Sequence, residues 1–568
     1  KSLLGIYKYD EGITLAIDRV PRDPSDPLPG KLRIFIPFDF LRYNKDTITK
    51  DRHGILAAKH FFTEQSYRTL RYEGRPWLWI DPPGQAVLDR TSVEIFEESI
   101  ELQIDFIPPF KSRRKLSGGR LRRLFSDTIP RIINELKATN KKRQILQKIR
   151  DTLEDQEYLR KLLKEENYIA FIADGSILPR RGETDFPMPN AIPFKAPDKY
   201  TVEFELRNHG VISGLAIPAG KVVVFAGANF HGKTTILEAL AVAHYNHIPG
   251  DGREFVISVD ELPLITVENR RIVRGVDISS FMKTLPGSVD THNFTTENAS
   301  GSTSQAASLI EAIESRVPGI LIDEDSSAVN FLLRDHLLQR IIPSDLEPIT
   351  PLIDMLPAIK KKGISLIFAI GALGDFLRVS DTIFLVSHYK ISEIFAQGRV
   401  DLIKKAEEDL ALGVAEPSKI RINKFEANLA HDNISTKQDK RKHLHIKHRV
   451  PLSGTIPDGK IKKASYEEII ISWRGRSISI NLRGAIRKTL KEKAQVRALA
   501  FAIVYASKYA DGKTPLSDIV DKVMTDIRNY GLNVINPYKD EVPLNLASFT
   551  KYQLFYSLSR LPTLKIKS

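Results

Sequence analysis

The run Gly227-Ala228-Asn229-Phe230-His231-Gly232-Lys233-Thr234 constrains this chain more than any other feature. It has the spacing G-x-x-x-x-G-K-[ST], follows the apolar run 221–226, and leads into the helix-like Thr235-Ile-Leu-Glu-Ala-Leu-Ala-Val-Ala. Strand, loop and helix in that order form a phosphate cradle. Gly227 and Gly232 allow a tight turn, so backbone N–H groups and a helix N-terminus converge on an anion. Lys233 is then placed to reach the β- and γ-phosphates, and the Thr234 hydroxyl to ligate Mg²⁺. We expect residues 227–235 to hold a nucleotide, with His231 a spacer pointing away from it.

A second element supports that expectation. Gly319-Ile-Leu-Ile-Asp323-Glu324 is an apolar strand ending in adjacent carboxylates. Asp323 at the strand end can complete a Mg²⁺ shell with Thr234, and Glu324 can polarise an attacking water while Lys233 steadies the transferred phosphoryl group. Residues 198–390 alternate apolar runs with helical patterns, the signature of a largely parallel α/β layer. Val222-Val-Val-Phe-Ala and Ile364-Ser-Leu-Ile-Phe-Ala-Ile read as further buried strands.

The rest of the chain supplies the frame. Its 568 residues suggest about three to five units. The absence of cysteine removes disulfides, thiolate zinc sites and cysteine nucleophiles. No apolar run approaches the roughly 18 residues of a membrane span. Residues 1–110 alternate short apolar runs, such as Leu32-Arg-Ile-Phe-Ile-Pro-Phe and Pro76-Trp-Leu-Trp-Ile, with Pro and Gly, which predicts short strands rather than long helices. From Asp127 to Glu166 the spacing turns helical, and Pro179 to Pro197 reads as a boundary. A helical pattern returns from Ile486 to Tyr509. The expected fold class is α/β: an N-terminal α+β domain at 1–195, a nucleotide-binding core at 196–390, and a basic linker with a mainly helical C-terminal domain at 391–568. The chain opens on Lys1 rather than Met, as a processed or truncated form does.

The net charge of +14 is concentrated. Residues 111–150 carry 14 Lys and Arg against 2 Asp and Glu, and residues 436–463 carry 9 against 2. These excesses surpass the whole net charge, so the body is slightly acidic and the surplus is local. In the first segment Lys111, Arg113, Arg114, Lys115, Arg120, Arg122 and Arg123 are interleaved with glycines and a few apolar anchors. Guanidinium groups fork onto phosphates and stack on bases, and counterion release drives such binding, so we expect nucleic acid here. The second segment, Lys437 to Arg449, contains His443, His445 and His448, but its many cations oppose a metal site, and we expect a flexible basic loop that assists nucleic-acid binding.

The residues around the acidic pair carry a family resemblance. Asp323-Glu-Asp-Ser-Ser-Ala-Val-Asn330 resembles the acidic pair and D-loop of ABC-type ATPases, D-E-P-T-S-A-L-D. Asn298-Ala-Ser-Gly-Ser-Thr-Ser-Gln305 stands where those proteins carry L-S-G-G-Q. Longer segments resemble the ATPases of the ABC class that lack a transporter membrane domain. Among them are Asp81-Pro-Pro-Gly-Gln-Ala-Val-Leu-Asp-Arg, Phe171-Ile-Ala-Asp-Gly-Ser-Ile-Leu-Pro-Arg and Tyr245-Asn-His-Ile-Pro-Gly-Asp-Gly-Arg-Glu. The resemblance implies an ABC-type P-loop ATPase core, ATP and Mg²⁺ as cofactors, and no membrane partner. It also implies a homodimer in which Ser300, Gly301 and Ser302 act in trans on ATP held by the other subunit's loop. The Lys/Arg insertions resemble the kinetoplastid mitochondrial branch, RNA-binding and associated with RNA editing. That implies RNA and editing-complex proteins as partners and a mitochondrial location. An alternative is a nucleotide-gated RNA-binding scaffold with little turnover.

The chain departs from the pattern in two places. No glutamine lies between the phosphate loop and the signature, and Gly371-Ala-Leu-Gly-Asp375 stands where transporters have a switch histidine, so either a slow hydrolytic cycle or a positioning role for Asp375 is expected. Tyr200 and His209 are both candidates to stack the adenine.

Overall fold

The computed structural model describes residues 3–9, 11–23, 29–112, 115–335, 341–342, 346–393, 443–538 and 544–567. A six-stranded sheet forms the centre, in the order Leu264–Ile265, Gly319–Asp323, Ser365–Ile370, Val222–Ala226, Thr382–Ser387, Lys390–Glu393. All neighbours run parallel except the last pair. Helix Lys233–Leu240 covers one face, packing on Val223, Phe225, Leu321 and Ile367. Helices Gly301–Glu314 and Leu352–Lys361 cover the other, packing on Val222, Val224, Ile320 and Phe368. Alternate residues of each strand thus enter opposite cores, which is why these strands read as unbroken apolar runs.

A four-stranded antiparallel sheet, Thr201–Leu206, Gly210–Pro218, Tyr168–Ala173, Val256–Ser258, lies beside this core. The 26-residue helix Asn140–Glu165 packs Leu159 and Leu163 onto Phe171 and Phe204 of that sheet. Its start is fixed by Thr139, whose hydroxyl accepts the Lys142 N–H at 3.2 Å.

The N-terminal region holds a sheet in which Gly5–Lys8, Thr14–Arg19, Gly30–Pro37, Ser99–Phe106 and Leu78–Trp79 pair in that order. Against it lies the 22-residue helix Arg52–Glu73, which corrects the expectation of strands without long helices. This helix buries Ala57, Ala58, Phe61, Phe62 and Leu70 but also Lys59, His60, Thr63 and Ser66, so burial cuts across its apolar periodicity.

The C-terminal region is helical over Lys493–Ala506, Leu516–Tyr530 and Lys551–Ser559. It also contains an antiparallel sheet of Lys460–Ala464, Glu468–Trp473 and Arg476–Asn481. Among the described residues, no helix is long and apolar enough to cross a membrane.

The second basic segment requires a correction. Lys437, Lys440, Arg441 and Lys442 lie outside the described residues. The remainder packs along the core rather than forming a free loop. The His445 N–H donates to the Ser280 hydroxyl at 2.8 Å, and Leu444 and Ile446 join the central core. Arg449 is wholly buried.

Candidate functional site

The phosphate loop lies at the C-terminal end of Val222–Ala226, between two parallel neighbours. Two close approaches explain its glycines. A Cβ on Gly227 would lie 2.2 Å from the Val386 carbonyl oxygen. One on Gly232, whose φ is 102°, would lie 2.8 Å from the Tyr389 ring. Gly232 caps helix Lys233–Leu240, so the N–H groups of the first turn open toward the loop. Asn229 and Phe230 form the exposed crown, with Phe230 94% exposed and at φ 65°. His231 turns toward the following hairpin, its ring 4.7 Å from that of His388.

The Lys233 ammonium donates to the Ala228 carbonyl at 2.8 Å, so it curls under its own loop. The Thr234 hydroxyl donates to Asp323 Oδ2 at 2.7 Å, bringing together the two oxygens expected to share Mg²⁺. Burial pushes the Asp323 carboxyl above its ordinary range. A buried carboxylate beside a hydroxyl is a hard oxygen pair whose ionised form a divalent cation would favour, so the residues fit Mg²⁺.

Glu324 has an unexpected partner. Its Oε2 accepts the backbone N–H groups of Gly371, Ala372 and Leu373 at 2.7, 2.9 and 3.3 Å. Successive amides of this kind make an anion-binding concavity. The segment at the switch-histidine position therefore positions Glu324 through its backbone. Asp375 lies beyond it, at the start of the short helix Phe376–Val379. Gly371 also borders the phosphate loop, since a Cβ there would be 3.1 Å from Asn229 Oδ1 and 3.5 Å from Lys233 Nζ. The amide concavity thus links Glu324 to Lys233.

The signature segment opens helix Gly301–Glu314, with Ser300 exposed at the N-cap. Ser300 shares a hydrogen bond with the Thr303 hydroxyl, and Ser302 donates to Asn330 Oδ1 at 2.8 Å. Gln305 reaches the D-loop, donating to Ser327 Oγ at 2.7 Å and accepting the Ala328 N–H at 2.9 Å. Ser327 in turn donates to the Asp323 carbonyl at 2.7 Å. Ser300, Gly301 and Ser302 are therefore tied to the D-loop side of their own chain, while Gly227 to Thr235 gather around Asp323 and Gly371.

At the other end of the same helix, Glu311 and Glu314 are buried and gripped by arginines from distant parts of the chain. Arg449 reaches Glu314 at 2.7 Å and Glu311 at 3.3 Å. Arg271 pairs with Glu311 at 2.9 Å, and Arg560 with Glu311 at 3.3 Å. Arg560 also forks onto Glu268 at 3.0 Å. Glu268 follows the edge strand Leu264–Ile265, and its own N–H donates to Ser304 of the signature helix at 3.1 Å.

The adenine candidates are placed differently. His209 Nδ1 lies 2.6 Å from Asp155 Oδ2 of the long helix. Tyr200 packs edge-on against Phe384, which stacks on Phe225 of the phosphate-loop strand. The sequence reading missed Tyr389. It stands in the turn between Thr382–Ser387 and Lys390–Glu393, at φ 63°, donates its N–H to the His231 carbonyl at 3.1 Å, and lines a cavity of about 450 Å³ with Gly232, Thr235, Ile192 and Phe194. Its signal was an aromatic immediately after the closing strand.

Of the predicted nucleic-acid contacts, Lys111 and Lys115 are exposed on the small pair Phe110–Ser112 and Lys115–Leu116. Arg120, Arg122 and Arg123 are exposed on helix Gly118–Arg123, anchored by buried Leu121 and Leu124. Arg113 and Arg114 lie outside the described residues.

A phosphate loop, a carboxylate-ended neighbouring strand and a signature helix hydrogen-bonded to the D-loop define a P-loop protein of the ABC class. Family models agree along the chain. Residues 1–139 match the N-terminal model of ATPases of the ABC class, residues 141–420 the P-loop domain of the ABC ATPase model, and residues 475–567 the MRB1590 C-terminal domain. The chain belongs to the ATPases of the ABC class. The uncharacterized protein MJ1628 of Methanocaldococcus jannaschii is 35% identical over 189 residues, spanning 32% of this chain and 42% of that relative. The match thus covers less than half of the relative's length. Among solved structures, the ADP conformation of MJ1267, an ATP-binding cassette of an ABC transporter, is 12% identical, with a TM-score of 0.25, and covers 44% of this chain and all of that one. CbiO1 from Clostridium perfringens, part of the ABC transporter complex CbiONQ, is 13% identical, with a TM-score of 0.27, and covers 43% and 97%.

Proposed function

We propose that this chain is a Mg²⁺-dependent ATPase that works as a homodimer and holds RNA on its basic N-terminal surface, in mitochondrial RNA editing or processing. The observation that carries the catalytic part is the continuous set of contacts from the Lys233 loop through Gly371–Leu373 to Glu324, and from Thr234 to Asp323. When ATP binds, the loop amides and Lys233 orient its phosphates, and Tyr389 offers a face for the base at the mouth of the adjoining cavity. Thr234 and Asp323 would hold Mg²⁺, which neutralises charge developing on the phosphate oxygens. Glu324 keeps one carboxylate oxygen outside the amide concavity, available to accept a proton from water.

With one phosphate loop per chain, a two-fold dimer gives each ATP a signature from the other subunit. The exposed Ser300 and the Ser302–Asn330 contact support that role. The RNA part rests on the exposed cations Lys111, Lys115, Arg120, Arg122 and Arg123. Among the described residues, none of these forms an ion pair. The mitochondrial location and an editing-complex partnership rest on the family resemblance alone.

A second reading, a nucleotide-gated RNA scaffold with little turnover, draws on the same Glu324 contact, because a carboxylate held by three amides is a weaker base. Phosphate release measured with and without RNA separates the two. Turnover that Lys233→Ala abolishes fits the ATPase; tight ATP binding with no turnover under either condition fits the scaffold.

A further inference from the structure

A second cavity, of about 650 Å³, opens where the N-terminal helix Arg52–Glu73, the loop 81–85 and the start of helix Lys493–Ala506 meet. It is remote in sequence from the phosphate loop, and one wall is the Asp81-Pro-Pro-Gly-Gln segment, to which the nucleotide site gives no role. The size is that of a small-ligand pocket.

The wall charges sort cleanly. Each lining acid has its own cation: Glu64 with Arg68 at 2.6 Å, Asp81 with Arg497 at 3.2 Å, Asp185 with Lys491 at 2.8 Å and Glu492 with Arg90 at 3.0 Å. Two lining cations are left over, Arg71 and Lys493, and among the described residues neither meets a carboxylate. The Arg71 guanidinium lies 4.4 Å over the ring of Tyr72 and donates to its hydroxyl, and that tyrosine is 73% exposed at the end of the helix. Flat faces line the interior: Tyr67, Tyr466 and Phe186, the last 54% exposed.

His60 supplies an independent sign of a ligand. It is 1% exposed, lines the cavity, and its Nδ1 has no hydrogen-bond partner among the described residues. Burial and the charge of Arg90 hold its pKa down to about 3, so the ring is neutral. A buried neutral imidazole nitrogen at a cavity wall is a ready partner for a polar edge.

Helix Arg52–Glu73, which lines the cleft, also touches the basic helices. Glu73, at the end of the same helix, pairs with Arg131 at 3.5 Å. Arg131 belongs to Ile129–Glu135, which continues the helical run from Gly118–Arg123.

We propose that this cleft seats bases of a single-stranded RNA whose backbone runs along the Gly118–Glu135 helices, with the rings of Tyr466 and of Tyr72, the neighbour of Arg71, as stacking faces and Arg71 and Lys493 on phosphates. Surplus cations beside exposed aromatic rings are what a sequence-tolerant single-strand site requires. The proposal rests on the reading that the chain binds RNA.

The test is fluorescence anisotropy of the full chain with fluorescein-labelled oligo(U) across a salt series. Tyr72→Ala and Tyr466→Leu are expected to weaken binding about five-fold or more with an unchanged salt slope, since stacking releases no counterions. Tyr72→Trp restores affinity. Arg71→Ala and Lys493→Ala each lower the slope by about 0.7, one phosphate contact in a single strand. If the wild type fails to bind RNA, the RNA reading falls and the cleft proposal with it. If Arg120, Arg122 and Arg123 matter but the cleft variants change nothing, the cleft proposal alone is overturned. Loss of an acidic peptide rather than oligo(U) from the cleft variants also overturns it.

Discussion

The two ends of helix Gly301–Glu314 are built on opposite rules. At the front, Ser300 and Ser302 are only lightly engaged, with hydroxyl contacts to Thr303 and Asn330 and surface left open. At the rear, Glu311 and Glu314 are buried and every carboxylate oxygen is committed to an arginine. Open polar groups suit a ligand that comes and goes, and neutralised buried charges suit an anchor. One helix carries both ends.

Replacing Arg449 is the harshest test of the anchor. Arg449→Ala leaves Glu314 buried without its cation and is expected to cost about 3–5 kcal/mol of stability, read by urea unfolding. Nucleotide affinity of the remaining folded protein should change little, which separates rear from front. A large loss of affinity at full stability would break the comparison.

The same contrast governs proton binding. Burial raises the Glu311 carboxyl, but Arg271, Arg560 and Arg449 prevail and hold it below its ordinary range. Its stabilising effect is therefore present at neutral pH and fades as pH falls through that lowered value. Glu261 is equally buried but meets the N-terminal end of helix Lys551–Ser559 instead of a guanidinium, and burial pushes it up to about 8. The folded chain keeps this proton while the unfolded chain, with the ordinary value of 4.5, releases it. Its contribution to stability thus declines as pH rises from about 5 to 8. Glu261→Gln should flatten the Tm profile over that window; an unchanged profile would remove Glu261 from the account.

The smallest effect on stability is expected at the front. Ser302→Ala should change unfolding free energy by less than about 0.5 kcal/mol, as exposed substitutions do. Yet it should weaken ATP-driven association, measured by sedimentation. Equal loss in both would mean that the front is structural as well.

Legibility in the sequence follows the same division. The phosphate loop and acidic pair were readable because each is a short run of fixed spacing at the end of an apolar strand, although Thr234 and Asp323 meet across 89 residues. The anchor was not, because Arg449 and Glu314 are 135 residues apart and a charge run does not show which cation is buried. Arg449 was accordingly read as part of a free basic loop. The amide concavity around Glu324 was hidden because backbone N–H groups carry no residue signature; only Gly371, where a side chain would crowd Asn229 and Lys233, left a trace. The helix Arg52–Glu73 was missed because Lys59, His60, Thr63 and Ser66 share its buried positions with apolar residues. The expected α/β class and ATPase core hold, and the C-terminal helices are joined by a sheet at 460–481 that its lysine-rich first strand concealed.

The central claim is that ATP joins two copies of this chain through the open end of the signature helix. Light scattering of Glu324→Gln with Mg²⁺ and ATP tests it most directly. The expected result is a species of twice the 64.1 kDa of one chain, which Ser302→Ala prevents. A Glu324→Gln protein that binds ATP and remains at 64.1 kDa would contradict it.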